Sequence, residues 1–286
     1  MLFAPSPSRL VLSLAALITL SLSGATPSEP AAPSSAPMNE HTFFDWNALA
    51  PKPTPVGLRR NVFDAPTATF ARFESHISTL RPGLASHAPH QHPQEEIIIV
   101  KEGSLIVHLN DRELPLDTGG VAFFAANDWH AVRNAGDGPA TYWVFNVATA
   151  ATAVAPKTPA AQSASPEKLR SGVYRWDSLV VQPTPRGARR DIASASTVTF
   201  DNLSLHATTL NSGETPHAPH QHSDEEIIIL KEGTLEVTVG GTTRSCGAGS
   251  VFFFASNQLH GLKNIGPRQA TYYVLRIVTT PSHVSN

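Results

Sequence analysis

The sequence predicts an all-β protein built from two tandem copies of one sandwich- or barrel-type domain. Three observations carry that reading: a repeat at an offset of 130 residues, short β-rich runs within each copy, and two matching histidine clusters. Residues 87–103 read HAPHQHPQEEIIIVKEG and residues 217–233 read HAPHQHSDEEIIILKEG, identical at 14 of 17 positions. The same offset places Trp46 on Trp176, Arg59-Arg60 on Arg189-Arg190, His130 on His260 and Asn134 on Asn264, with no gap. Elsewhere the copies have drifted apart, and residues 61–75 match 191–205 at only 4 of 15 positions. A period this long marks whole domains rather than a solenoid.

Within the first copy, residues 96–100, 104–109, 121–124 and 141–147 are short runs rich in β-branched and aromatic side chains. Gly, Asn-Asp, Pro and Asp-Gly punctuate them, as expected of strands joined by turns. No stretch sustains a helical apolar period over three turns. Strands at this spacing close into a sandwich or barrel, which protects their edges. The copies are expected to span 42–148 and 172–280. Residues 149–171, dominated by Ala, Pro, Thr and Ser, are expected to form a flexible or partly extended linker without a core of its own. Residues 26–41 share that composition and are expected to be disordered.

Composition bounds the function. With 41% hydrophobic and 15% charged residues and a formal net charge of −2, the chain is globular in character. It carries no basic block to bind nucleic acid or an anionic membrane surface. Arg9 precedes an apolar run from Leu10 to Leu22 and then Ser23-Gly24-Ala25, the pattern of a secretory signal cleaved after Ala25. That run is about 13 residues, short of the ~20 a spanning helix needs, so a periplasmic or secreted protein with no stable membrane anchor is expected. Cys246 is the only cysteine. It cannot form an intramolecular disulfide, and it reads as a small buried hydrophobe.

His90 and His92 are spaced i, i+2 and so share one face of an extended chain. Glu96 has the same parity, and His130 follows a strand and the turn Ala125-Ala126-Asn127-Asp128. The second copy supplies His220, His222, Glu226 and His260. Three imidazoles and a carboxylate meeting inside a barrel suit a divalent first-row metal. By the same parity Ile98 and Val100 line the barrel while Ile97 and Ile99 face out. A strand apolar on both faces must be covered on both, the outer cover being the other domain or another sheet. Phe123 with Phe253, and Phe124 with Phe254, are expected to serve the same two layers.

At these residues the chain resembles the cupin superfamily. The first cupin motif, G-x5-HxH-x3-4-E-x6-G, is matched by Gly83, His90, His92, Glu96 and Gly103, with one extra residue after the first glycine. The second, G-x5-PxG-x2-H-x3-N, is matched by Gly119, Ala125, Asn127, His130 and Asn134, and again by Gly249, Ala255, Asn257, His260 and Asn264. Ala stands for the motif proline and Asn for the motif glycine; Asn tolerates left-handed backbone angles, so the turn should survive. The resemblance implies two double-stranded β-helix, or jelly-roll, barrels packed together. It also implies one divalent ion per domain, with manganese, iron, nickel and zinc all admissible.

The resemblance implies a metal-dependent enzyme acting on a small polar or aromatic molecule, of dioxygenase, decarboxylase, isomerase or aminohydrolase type. The alternative is a non-catalytic storage or small-molecule-binding bicupin. A small-molecule substrate or ligand is the expected partner, nucleic acid is not, and homo-oligomerisation is left open. His87 and His217, three residues before the first ligand, are candidate acid–base partners, with a solvated loop histidine as the plainer reading. His76 and His206 have the parity to reach the cavity. Glu95 and Glu225 point away from the ligands, toward the surface or an interface. Arg59-Arg60 and Arg189-Arg190 are candidate carboxylate clamps at the domain interface, or solvated pairs.

Overall fold

The computed structural model describes residues 43–163 and 165–279, together with Met1. The expected signal segment beyond Met1 and the stretch 26–41 lie outside the described residues. The first half contains β1 (Phe43–Phe44), β2 (Lys52–Thr54), β3 (Gly57–Ala65), β4 (Arg72–Leu80), β5 (Glu95–Glu102), β6 (Ser104–Leu109), β7 (Arg112–Asp117), β8 (Val121–Phe124), β9 (His130–Asn134) and β10 (Ala140–Ala148). The second repeats it as β11 (Gly172–Tyr174), β12 (Gln182–Thr184), β13 (Gly187–Ala195), β14 (Asn202–Leu210), β15 (Glu225–Glu232), β16 (Thr234–Val239), β17 (Thr242–Gly247), β18 (Val251–Phe254), β19 (His260–Asn264) and β20 (Ala270–Val278). Among the described residues no helix is long and apolar enough to cross a membrane.

Each half is a large sheet facing a small one. In the first, β11-β8-β5-β10-β4-β3-β2 faces β7-β6-β9; in the second, β1-β18-β15-β20-β14-β13-β12 faces β17-β16-β19. The edge strands are exchanged between halves. Phe43 of β1 pairs with Phe252 of β18, and Gly172 of β11 pairs with Phe123 of β8. Each large sheet therefore ends on a strand borrowed from the other copy, which caps an edge that would otherwise be open.

The alternation in β5 and β15 is as the parity of the sequence requires. Ile98, Val100, Ala122 and Phe124 are buried in the first lumen with Leu105, Val107 and Tyr142, and Ile228, Leu230, Phe252 and Phe254 fill the second. Ile97, Ile99 and Phe123 turn the other way and join Ile227, Ile229 and Phe253 in one layer shared by both halves. Phe253 stacks on Phe63 and Phe73, at centroid distances of 6.3 and 5.8 Å. Cys246 is buried in the second lumen, and burial pushes its thiol up to about 11, which makes it a poor nucleophile.

Two buried carboxylates cross that layer. Glu95, fully buried, accepts hydrogen bonds from Thr197 Oγ1, Thr199 Oγ1 (2.8 Å) and the Val198 and Thr199 amides of the other half. Glu225, also fully buried, accepts from Thr67 Oγ1 and Thr69 Oγ1, at 2.5 and 2.7 Å. Burial raises the pKa of both, against the opposing pull of these donors. Of the two readings open for these residues, interface partner is the one observed. The receptor loops contain Thr67, Thr69 and Phe70, which together with Ala65 are the 4 positions conserved between the otherwise divergent stretches 61–75 and 191–205.

The tryptophans of the repeat also reach across. Trp46 sits on Gly249 and Trp176 on Gly119, where an added Cβ would come within 2.6 and 2.9 Å of the ring, and both glycines have left-handed φ angles. Arg60 and Lys101 flank Trp46, and Arg190 and Lys231 flank Trp176, at 4.3–4.8 Å from the ring centroids. One arginine of each tandem pair is thus occupied on a tryptophan rather than free to clamp a carboxylate.

The segment between the copies is anchored to the first barrel. It forms a 3-10 turn at Ala150–Val154 and a helical turn at Ala160–Ser163. Ala160 is buried, and buried Asp128 accepts from the Ala161 amide (2.9 Å) and Ser171 Oγ (2.6 Å). Small side chains and backbone groups do this anchoring, which no apolar period announces. Replacing Thr199 with Val is expected to destabilise the chain by roughly 1.5–3 kcal/mol, the worth of a hydrogen bond to a buried charged group. Thr69→Val should do the same from the other side, both read by denaturant unfolding.

Candidate metal centres

Each lumen draws three histidines to one point. His90 and His130 bridge through their backbones, each amide donating to the other's carbonyl at 3.1 and 2.9 Å, and His220 and His260 do the same. This locks the loop bearing the HxH pair to the start of β9 or β19. Asn127 and Asn257 adopt φ of 61° and 59°, the left-handed turn at the motif glycine position. The alanine in place of the motif proline is used: the Ala125 amide donates to Ser171 Oγ (2.7 Å) and the Ala255 amide to Gln258 Oε1 (3.2 Å), bonds a proline could not make. Asn134, fully buried, donates to the Leu80 and Gly138 carbonyls, so the last motif residue closes the barrel.

Candidate ligand nitrogens of His90, His92 and His130 lie within 4.8 Å of one another, as do those of His220, His222 and His260. Glu96 joins the first set, with Oε2 3.5 Å from His92 Nε2 and Oε1 4.0 Å from His130 Nε2. Glu226 joins the second, 3.3 Å from His222 Nε2. His92 Nδ1 is held by the Gln94 carbonyl (3.0 Å) and His130 Nδ1 by the Asp128 carbonyl (2.8 Å). Donating Nδ1–H to a carbonyl fixes the tautomer and leaves Nε2 as a lone pair. His222 and His260 are held alike by the Asp224 and Gln258 carbonyls. His130 stacks on Phe124 at 4.4 Å and His260 on Phe254 at 4.2 Å, which sets their ring planes.

The electrostatics suit a cation. Burial pushes His130 down to about 4 and lowers His90, His220 and His260, which favours the neutral form of these rings. Burial alone would raise Glu96, but the His92 hydrogen bond and the charges of His130 and His92 hold it at about 2. His92 is raised because the bond and charge of Glu96 outweigh its own desolvation. The pocket that favours a proton between His92 and Glu96 favours a metal ion there for the same reason. His130 Nε2, His222 Nε2, His260 Nε2 and the Nδ1 atoms of His90 and His220 are buried without a hydrogen-bond partner. Orphaned nitrogens aimed at a shared point are costly unless something accepts their lone pairs. The donor set fits a divalent first-row metal.

The two cavities share ligands but not walls. The first, about 440 Å³, is lined by Arg59, His76, Ser78, Tyr142 and Asn146 beside the ligands. The second, about 680 Å³, has Arg186, Arg189, His206, Thr208, Tyr272 and Arg276. Asn146 donates to Glu96 at 3.4 Å, whereas Arg276 at the matching position lies 3.8 Å from Glu226 and is paired with Asp224 at 2.5 Å. His76 and His206 both line their cavities, as their parity suggested. His87 and His217 stand exposed at the mouths, each ring 4.1–4.2 Å from the first ligand histidine, with Nδ1 on the carbonyl of the next residue. Arg276 and Glu74 were not singled out from the sequence; their signal lies in the exchanges Asn146/Arg276 and Glu74/Ser204 at the offset of 130.

His206 provides a pH test. Burial, with Arg189 adding, pushes it down to about 4. The unfolded chain takes up that proton near 6.5 and the folded chain only near 4, so stability is complete above 6.5 and declines as pH falls toward 4. His206→Gln should flatten that part of a pH series of unfolding midpoints.

The Cupin domain family matches residues 76–146 and 207–276, one stretch in each barrel, and each stretch contains all three histidines and the glutamate of its cluster. No curated protein matches the chain. Among solved structures, AerE from Microcystis aeruginosa superposes with a TM-score of 0.63 at 18% identity, over 83% of this chain and 99% of that one. The oxalate decarboxylase of Lactobacillus farciminis, in its formate complex, gives 0.62 at 15%, over 87% and 89%. The protein Ylba from E. coli gives 0.64 at 11%, over 85% and 92%. At such identities these likenesses establish the fold. With a cupin domain found twice, two halves of the same strand order and a three-histidine cluster in each, the chain belongs to the cupin family, as a bicupin.

Proposed function

We propose that this chain is an exported, metal-dependent bicupin enzyme acting on a small polar or aromatic molecule. The observation that carries the reading is the set of buried, unpartnered imidazole nitrogens that meet a carboxylate in each enclosed lumen. His90, His92, His130 and Glu96 hold one ion, and His220, His222, His260 and Glu226 the other. Manganese, iron, nickel and zinc all suit this mixed nitrogen and oxygen set. Bound there, the ion supplies Lewis-acid or redox chemistry. The protein's own groups do the rest: apolar lumen walls exclude water, polar side chains orient the ligand, and His87 and His217 exchange protons with solvent at the mouths. Cavities of 440 and 680 Å³ are of the size that takes a small molecule. The relatives include a decarboxylase, which supports a decarboxylase, dioxygenase or aminohydrolase type of reaction without selecting one.

Elemental analysis of protein loaded in turn with iron, manganese, nickel and zinc should find about one ion per barrel. His90→Ala with His92→Ala should remove one equivalent, and His220→Ala with His222→Ala the other; no stoichiometric metal under any loading would reject the site. On a panel of small carboxylates, diphenols, sugars and ureido compounds, turnover should vanish with chelator and return with metal. A storage or binding bicupin would show ligand binding without turnover. Export rests on the Arg9-led apolar run ending at Ala25. N-terminal sequencing of natively expressed protein should begin near Thr26, and a retained Met1 would contradict it.

A further inference from the structure

The first cavity contains a group that the second lacks. Glu74 and His76 are two residues apart on β4 and so share its inward face. Glu74 lies 2.8 and 3.1 Å from His76 Nδ1 through its two oxygens. It is fixed in turn by Arg59 Nη2 at 2.7 Å, and Arg59 Nε donates to Asn61 Oδ1 at 3.0 Å. Both the carboxylate and the imidazole are largely buried, 15% and 14% exposed. His76 lines the metal cavity, and its hydrogen bonds among the described residues are made through Nδ1 and not through Nε2. A carboxylate on Nδ1 fixes the tautomer that leaves Nε2 basic, and it stabilises the imidazolium formed when Nε2 takes a proton.

At an offset of 130 the metal ligands are unchanged but this device is dismantled. Ser204 stands where Glu74 would be, and His206 Nδ1 is buried with no partner. Arg189, the counterpart of Arg59, turns to Asp191 at 2.6 Å. A histidine without a carboxylate, next to a guanidinium, is poorly placed to become cationic.

We propose that His76 is the proton acceptor of the first cavity, positioned by Glu74 and Arg59, and that the second cavity has no equivalent. The two metal sites are then chemically distinct, and only the first removes a proton from a hydroxyl seated in the lumen. In that step the substrate O–H bond breaks, its electron pair stays on oxygen, and a new N–H bond forms at His76 Nε2. The resulting positive charge rests against Glu74. Of the other titratable groups facing this space, Glu96 and the ligand histidines are committed to the metal, burial pushes the Tyr142 hydroxyl up to about 12 so that it keeps its proton, Arg59 is paired with Glu74, and His87 lies at the mouth. This assignment rests on the metal-site reading above, and its test separates the two.

The probe is 4-nitrocatechol, whose visible spectrum distinguishes loss of one proton from loss of two. It is titrated near pH 7 into zinc-loaded full-length protein carrying either His220→Ala/His222→Ala or His90→Ala/His92→Ala, so that one barrel is read at a time. The first barrel should bind it as the dianion and the second as the monoanion. His76→Gln in the first barrel should convert the bound form to the monoanion and weaken binding by roughly tenfold or more, the scale of one charge-assisted hydrogen bond, with zinc content unchanged. Glu74→Gln should fall between, and His206→Gln should leave the second barrel's spectrum as it was. Nitrogen-15 NMR of the zinc form should show His76 as the Nδ1–H tautomer, altered by Glu74→Gln. Identical spectra in the two barrels, a dianion that survives His76→Gln, or a zinc-loaded first barrel that ignores the catechol would each overturn the assignment. Failure to take up zinc would instead overturn the metal reading.

Discussion

A sheet that is apolar on both faces cannot stand alone in water, and the fold is organised around that constraint. In β5 and β15 the isoleucines alternate between a lumen and the layer between barrels, so each large sheet serves as a wall for two cores. A fully buried Ile or Phe contributes roughly 1.5–3 kcal/mol relative to exposure. The shared layer contains more than a dozen such side chains from both halves. Burying Glu95 and Glu225 there costs several kcal/mol each before their hydrogen bonds are counted. The apolar term is the larger, and the threonine receptors offset part of the penalty, with Glu225 Oε1 left buried without a hydrogen-bond partner.

The exchanged strands and the paired tryptophans follow from the same need. Where two sheets share a face, the segments that enter and leave each barrel lie close to its neighbour. β1 and β11 then complete the opposite sheets rather than their own. Trp46 and Trp176 fill the spaces left by Gly249 and Gly119, and the Trp143 indole and Tyr273 hydroxyl donate to the carbonyls of those same glycines, at 3.3 and 2.8 Å. The barrels are therefore joined through backbone, aromatic and charged contacts at once. Their relative placement belongs to the fold and not to the segment that links them in sequence.

The lumen gives the histidines their chemistry. His130 and His260, held by carbonyls at Nδ1, stacked on phenylalanines and desolvated, present Nε2 to a point shared with the other histidines, beside a glutamate whose pKa is held low. Because both barrels reproduce this arrangement, the difference between the cavities lies one strand away, in Glu74 against Ser204 and Asn146 against Arg276. The ligand set and the wall are separable parts of the site, and duplication has kept one while letting the other change.

The strands, the two-layer parity of β5 and the meeting of three histidines beside a glutamate in each barrel were legible in the sequence because each follows from a local rule: period two along a strand, or a fixed motif spacing. Asn127 and Asn257 could be placed in a left-handed turn on the same grounds. The receptors for Glu95 and Glu225 left a trace, the threonines kept at 67, 69, 197 and 199 inside diverged stretches, but a trace without a partner has no meaning until the two barrels meet. The exchange of β1 and β11, the anchoring of residues 149–171 and the union of Arg59, Glu74 and His76 were decided by tertiary structure alone. Each depends on which chain segments, distant in sequence, lie within a hydrogen bond of one another, and such distances arise only when the sheets have closed and packed.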